Sequence, residues 1–225
     1  MEATSPLLLL LSCFLILFAF TTKPFPTAAA QPVLDTDGEP LRWYTRYYVL
    51  PHNFALGGGL SLGTLNNKTC PLYVTQEISE VENGFPVTFS PASYPSNYLA
   101  SIDTSLLLNI RTIAQTVCLE SLVWKVGEQA NGLWVVSTNG EINAGSSSTF
   151  MIQTSQDVPG AYTIVTCHGL GMLPVCRHLE SSQFVENGKR YITAGSMVNG
   201  FTVMFKKAPS PRTTSSKYIQ SVAME

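Results

Sequence analysis

The chain has 225 residues, of which 45% are hydrophobic, and its 13 Lys and Arg nearly balance its 15 Asp and Glu. No run of basic residues is longer than a pair. This sparse, balanced charge argues against a nucleic-acid partner or an anionic membrane surface.

The first thirty residues have the pattern of a secretory signal peptide. Leu7 to Phe20 is almost wholly apolar, and three alanines at 28–30 offer small residues for cleavage. A signal anchor is the less favoured reading, because a membrane-spanning helix needs about 20 apolar residues. We predict a signal peptide at 1–30, one domain at 31–207 and a flexible tail at 208–225. The mature protein is then expected outside the cell or in the vacuole, with no membrane association.

Short β-rich runs separated by turn signals fill the rest of the chain. The Asp37-Gly38 pair within residues 33–41 predicts a strand, a tight turn and a second strand. Gly57-Gly58-Gly59 is interpreted as a turn or bulge, since no Lys-Ser or Lys-Thr follows to make a phosphate-binding loop. Both Trp124 and Trp134 stand in apolar strand contexts, where we expect core packing. Later runs occupy 47–50, 60–62, 72–75, 87–89, 105–110, 122–126, 133–136, 149–152, 162–166, 191–193 and 201–205.

These runs recur about every ten residues, often with Asn-Gly between them, and no long segment has a helical period of 3.6. The pattern predicts an all-β sandwich or barrel with almost no helix.

Four cysteines remain once Cys13 leaves with the signal peptide: Cys70, Cys118, Cys167 and Cys176. An even set in an exported protein predicts two disulfides. The sequence permits three pairings, of which a local 167/176 loop with a long 70/118 loop is the simplest. Two histidines beside the later pair make a zinc site conceivable, but oxidation is favoured, so we predict no metal and no cofactor. No G-x-S-x-G motif or Ser-His-carboxylate spacing is present, and we predict that the protein is not an enzyme.

Residues 33–49 resemble, position by position, the signature of the plant Kunitz (soybean trypsin inhibitor) family, which includes miraculin-like proteins. The matching positions are Val33, Asp35, Asp37, Gly38, Glu39, Leu41, Tyr47 and Val49. Further similar segments are 57–60, 70–72, 84–87, 124–126, 162–165 and the 167/176 cysteine spacing. The resemblance implies a plant source and a β-trefoil of twelve short strands in three pseudo-repeats. It also implies disulfides Cys70–Cys118 and Cys167–Cys176.

In that family a loop between the first two cysteines enters a protease cleft as a rigid, slowly cleaved substrate, so the implied function is that of a protease inhibitor. Its affinity derives from preorganisation of the loop during folding. The corresponding segment here is 90–100, with the reactive position at about Ser93 or Tyr94. The candidate reactive residues are Ser93, Tyr94, Pro95, Tyr98 and Leu99.

The loop departs from the family pattern in ways that bear on its target. No basic residue occurs between Lys68 and Arg111, whereas trypsin-like pockets need Lys or Arg at the scissile bond. We therefore predict that trypsin is not the target. Tyr94 suits a large hydrophobic pocket of the chymotrypsin type, although Pro95 after it removes an amide donor. Trp43 stands where family members carry a short Asn that braces the loop.

Asn67-Lys68-Thr69 is the only N-x-S/T sequon in the chain, and we predict an N-linked glycan on Asn67. The expected partner is a target protease, chymotrypsin-like or of another class, bound by a monomer. The alternative is a trefoil protein that has lost inhibition and serves in storage or in binding a small ligand.

Overall fold

The computed structural model describes residues 30–93, 101–130, 132–142, 145–168, 175–186, 188–195 and 200–210. Within these ranges there is no α-helix, and two 3-10 helices span Phe54–Leu56 and Ser146–Ser148. The prediction of an all-β protein is confirmed.

Twelve strands lie in the described ranges. They are β1 Tyr47–Pro51, β2 Leu60–Leu65, β3 Lys68–Gln76, β4 Val87–Pro91, β5 Leu108–Thr112, β6 Lys125–Ala130, β7 Leu133–Ser137, β8 Phe150–Thr154, β9 Tyr162–His168, β10 Val175–Glu186, β11 Lys189–Ala194 and β12 Val203–Lys207.

Six of these strands close into an antiparallel barrel. The pairing runs from β12 through β1, β4, β5, β8 and β9, and the β12–β9 pair completes the ring. The other six form three hairpins, β2–β3, β6–β7 and β10–β11, which also pair with one another through β3, β7 and β11. Because the ring is closed, the barrel has no free sheet edge. Each hairpin has one strand, β3, β7 or β11, that pairs with the corresponding strands of the other two hairpins.

The core fills the barrel with large side chains from alternate strand positions. In β4, Val87, Phe89 and Pro91 are buried while Thr88 and Ser90 are half-buried, as the period of two along a strand requires. The Phe89 and Phe205 rings meet edge to face with centroids 5.6 Å apart. Such a ring pair stabilises the core by more than the burial of its surface area alone would.

Trp124 is fully buried, and its indole Nε1 donates a 2.8 Å hydrogen bond to Thr112 Oγ1. The prediction of core packing is thus confirmed for Trp124. It is wrong for Trp134, which is 39% exposed. Trp134 lies opposite Gln129 in the β6–β7 hairpin, so the apolar run predicted a strand but did not fix which face of the strand is buried.

Two strand predictions also need correction. Residues 33–41 form a turn closed by an isolated Leu34–Pro40 bridge, not a pair of strands. Asp35 holds this turn, because its Oδ1 accepts from the backbone nitrogens of Asp37 and Glu39. The pattern missed β10, whose Arg, His, Glu and Ser residues lack regular alternation and whose pairing with β11 is interrupted by a register shift between Ser181 and Val185.

The Gly57–Gly59 run follows the first 3-10 helix and is a tight crossing of chains, not the predicted turn or bulge. All three glycines are buried. A Cβ on Gly58 would lie 2.2 Å from Ser79 O, and one on Gly59 would lie 2.1 Å from Asn83 O. Only glycine permits this approach, which packs the 77–84 segment against the start of β2.

Candidate functional site

The segment predicted to carry the reactive residues leaves the barrel at the end of β4 and returns at the start of β5. We call residues 92–107 the first loop. Pro91 lies opposite Leu108 in the β4–β5 ladder, and Ala92 N donates to Leu107 O at 3.0 Å. The neck of the loop is therefore closed by strand pairing.

The returning half of the first loop is anchored to the N-terminal segment. Ile102 is fully buried in the core, its nitrogen donates to Leu41 O at 3.0 Å, and its oxygen accepts from Val33 N at 2.9 Å. Thr104 N extends the contact by donating to Gln31 O at 3.0 Å. A residue with both backbone groups and its side chain bound in this way has little freedom to move.

A local turn supports the same foot. Asp103 Oδ1 accepts from Ser105 N at 2.8 Å and from Ser105 Oγ at 2.6 Å. An aspartate that binds the backbone two residues on stabilises a turn. The contacts at Ile102 and Asp103 were not anticipated from the sequence, although an isolated Ile between polar residues was the available signal.

Of the five predicted reactive residues, Ser93 lies in the described part of the first loop. It is exposed and follows Ala92 directly after β4. Tyr94, Pro95, Tyr98 and Leu99 belong to 94–100 and lie outside the described residues. Trp43, which replaces the bracing Asn of the family, is partly buried and packs against the hydrophobic core.

Both predicted disulfides are present. Cys70 at the start of β3 bonds Cys118, which follows β5, and Cys167 bonds Cys176 directly opposite it across β9 and β10. The Cys70–Cys118 bond encloses the first loop in sequence, but the β4–β5 ladder closes the neck much nearer to it. The cross-link instead joins the β2–β3 hairpin to the segment after β5.

Asn67 lies at the tip of the β2–β3 hairpin and is exposed. Leu65 pairs with Lys68, and the two residues between them, Asn66 and Asn67, have φ of 53° and 56°. Two residues at positive φ are typical of the type I′ turn that suits a two-residue hairpin, and asparagine tolerates this conformation. The sequon asparagine therefore projects from the surface.

One ion pair ties the hairpins together. Lys189 Nζ lies 2.9 Å from Glu77 Oε1, and it also donates to Leu62 O at 3.2 Å. Burial raises the pKa of Glu77, but hydrogen bonds from Ser61 and Lys189 together with the Lys189 charge outweigh burial and leave that pKa below its ordinary value. The ionised carboxylate thus stabilises the junction of β2, β3 and β11.

Comparison with known proteins agrees with this geometry. The model of the legume Kunitz family, described as trypsin and protease inhibitor, matches residues 33–207. The alpha-amylase/subtilisin inhibitor of Oryza sativa subsp. japonica is 33% identical over 206 residues, covering 88% of this chain and 96% of that protein. The 21 kDa seed protein of Theobroma cacao is 39% identical over 133 residues, covering 56% of this chain and 60% of that protein.

A solved structure of soybean trypsin inhibitor has a TM-score of 0.64 and 22% identity, covering 79% of this chain and all of that chain. At this identity the likeness shows a common fold. The family match, by contrast, spans the barrel, the hairpins and both disulfides. This chain belongs to the Kunitz family of trypsin and protease inhibitors.

Proposed function

We propose that the protein inhibits a protease by presenting the first loop to the active-site cleft as a substrate. The observation that carries the proposal is the double anchoring of the loop. Strand pairing at Ala92 and Leu107 closes its neck, and the buried Ile102 fixes its returning half. A loop ordered during folding loses little entropy on binding, so most of its contact energy appears as affinity.

We infer that the architecture behind this loop is a β-trefoil. Three successive groups of four strands, β1–β4, β5–β8 and β9–β12, make up the twelve strands. In each group the first and fourth strands belong to the barrel, and the middle two form a hairpin. Membership of the Kunitz family supports the same inference. The first loop then joins the first repeat to the second.

The target is a protease whose primary pocket is apolar. The first loop holds no Lys or Arg, while it offers Tyr94, Tyr98 and Leu99. A buried aspartate in a trypsin-like pocket would meet no cation from this loop, and a hydrophobic pocket would take any of the three side chains. The rice relative's description as a subtilisin inhibitor supports a target other than trypsin.

The protein reaches its target through the secretory pathway, to the cell exterior or the vacuole. The apolar run before residue 31 and the two disulfides support this route, because disulfides persist in oxidising compartments. In the part of the chain that the structure describes, no helix is long and apolar enough to cross a membrane. Asn67 carries an N-linked glycan, which a mass loss after peptide N-glycosidase treatment, absent in Asn67→Gln, would reveal.

Titration against a fixed amount of chymotrypsin tests the inhibitory function. We expect residual protease activity to fall linearly to an equivalence point, with one slow cut between Ser93 and Ala100 found by mass spectrometry. Full residual activity at excess protein would reject chymotrypsin as the target. The same titration is then carried out with subtilisin. Inhibition of subtilisin would indicate a different protease with an apolar pocket, and no inhibition would favour a storage or ligand-binding protein.

A substitution in the loop sharpens the test. Tyr94→Lys and Leu99→Lys each supply the cation that trypsin requires, and we expect one of them to create trypsin inhibition that the unmodified protein lacks. Thr88→Lys, on β4 of the barrel, is the matched control and is expected to create none. No gain at either loop position would contradict a braced, substrate-like loop.

A further inference from the structure

A second exposed segment lies between β5 and β6 and has no role in the function proposed above. We call residues 113–121 the second loop. Its backbone bends at Val117 and Glu120, and no part of it belongs to a strand or helix. Leu119 is fully exposed, at 104% of its reference area, and Val117 is 82% exposed. They are the two most exposed large hydrophobic side chains in the described part of the chain.

The half-cystine between these two side chains pins the loop to the body of the protein. Cys118 is 7% exposed and is bonded to Cys70 on β3. Two aliphatic groups therefore stand in solvent on either side of a buried, covalently fixed residue. Folding usually buries such groups, because moving an aliphatic side chain out of water stabilises the folded state.

Both ends of the second loop are held by backbone hydrogen bonds to the rest of the fold. Ile113 N donates to Pro86 O at 2.8 Å at the start of the loop. At its end, Ser121 O accepts from Asn139 N at 2.6 Å. Leu122, which follows, is buried and accepts from Thr112 N at 3.1 Å. The loop thus leaves and re-enters the fold through fixed backbone contacts.

Side chains along the loop alternate between solvent and interior. Gln115, Val117 and Leu119 are exposed, whereas Thr116, Cys118 and Glu120 are partly or fully buried. Thr116 Oγ1 accepts from Cys118 N at 3.1 Å, and one carboxylate oxygen of Glu120 is turned inward without a hydrogen-bond partner. A protease binds a peptide that offers one exposed side chain to its primary pocket from a backbone held in a single conformation.

We propose that the second loop is a second inhibitory site, with Leu119 as the side chain that enters the primary pocket of a serine protease. The pocket must be apolar, because leucine carries neither charge nor hydrogen-bonding groups. Leu119 is favoured over Val117 because its branch lies one carbon further from the backbone, whereas the β-branched valine is stiff and wide at its base. The scissile bond is then Leu119–Glu120, one residue beyond the cross-linked Cys118.

Cys118 gives this site its resistance to turnover. Hydrolysis adds one water across the Leu119–Glu120 amide and leaves a carboxylate on Leu119 and an ammonium on Glu120. The new termini stay close together, because the bond to Cys70 holds Cys118, next to Leu119, and Asn139 N binds Ser121 O, next to Glu120. Proximity of this kind favours resynthesis of the bond over release of the fragments.

The test is a change of specificity at Leu119. We expect Leu119→Lys to tighten the inhibition constant for trypsin by at least about 100-fold over the unmodified protein, since a trypsin pocket strongly prefers a cation. Val117→Lys places the same charge two residues away, on another largely exposed site of the same loop, and is the matched control. It is expected to leave trypsin inhibition unchanged. Circular dichroism of both variants verifies the fold, which an exposed substitution does not disturb.

Cleavage mapping separates this site from the first loop. Chymotrypsin incubated with the unmodified protein should produce a slow cut after Leu119, and Leu119→Asp should abolish that cut while leaving any cut between Ser93 and Ala100. Equal trypsin inhibition by Leu119→Lys and Val117→Lys, no gain by Leu119→Lys, or rapid complete digestion after residue 119 would each overturn the proposal. None of these results bears on the first loop, whose cut is read separately.

Discussion

The first and second loops are held by different means. The first loop is long and is anchored without a covalent bond, through the β4–β5 ladder at its neck and through Ile102 in the core. The second loop is short and has a disulfide at its centre, with Leu119 standing next to Cys118. Backbone pairing secures the ends of a loop, whereas a cross-link secures one residue within it.

The stiffness of each loop has a different source. Ile102 and its hydrogen bonds depend on the packed core, so the returning end of the first loop is held as firmly as the barrel around it. Cys118 draws its fixation from a bond that persists even if packing loosens. Changes to the core and changes to the cross-link should therefore affect the two loops separately.

Removal of the Cys70–Cys118 bond is expected to have the largest effect. Replacing both cysteines by serine should lower the free energy of unfolding by about 4 kcal/mol, because the bond closes a loop with a sequence separation of 48. Urea denaturation measures the loss. Inhibition through Leu119 should weaken more than inhibition through the first loop.

The matched control replaces Cys167 and Cys176, whose sequence separation is 9. The expected loss is about 2.7 kcal/mol, with the second loop still pinned. If this control weakened inhibition through Leu119 as much as loss of the Cys70–Cys118 bond, the cross-link would not be what holds the second loop.

Ile102→Ala tests the anchoring of the first loop. Truncating a fully buried isoleucine leaves a cavity, and we expect a loss of about 3 kcal/mol in the free energy of unfolding. Faster proteolysis between Ser93 and Ala100, at an unchanged rate after Leu119, would show that only the first loop has loosened. Ile78→Ala, at a side chain that is 51% exposed, is the control and should cost under about 0.5 kcal/mol.

Glu77→Gln is expected to have the smallest effect and to change neither loop's inhibition. At neutral pH it should cost about 1 kcal/mol, since the partly buried carboxylate loses its ion pair with Lys189. The folded pKa of Glu77 is lowered. Its contribution is therefore complete above the unfolded value near 4.5 and disappears as pH falls through the lower folded value.

Urea denaturation of both forms at neutral and acidic pH measures this dependence. The two stability curves should converge in acid. A difference that stayed constant into strong acid would show that the ion pair is not its source. Weaker inhibition through Leu119 in Glu77→Gln would show instead that the second loop depends on the nearby hairpin junction, since Lys189 and Thr116 line the same cavity of about 320 Å³.

Residues with strong local chemistry were predictable from the sequence. Most of the short apolar runs and the turn at Asp37-Gly38 are determined by neighbours within a few positions, and the family signature added the disulfide pairing. β10 was missed because its polar residues and its register shift remove the alternation that identifies a strand. Its place is set by β9 and β11, which lie on either side of it.

The amino-acid sequence alone predicted the all-β class and showed the even set of cysteines, the Kunitz resemblance and the absence of a basic residue from the first loop. Each depends on residue type and spacing alone. Tertiary structure decided that Ile102 is an anchor, that Trp134 faces outward and that Leu119 stands in solvent beside a fixed half-cystine. Burial is a property of the folded chain. Whether a leucine is exposed or lies in the core depends on what packs against it, and residues distant in sequence supply that packing.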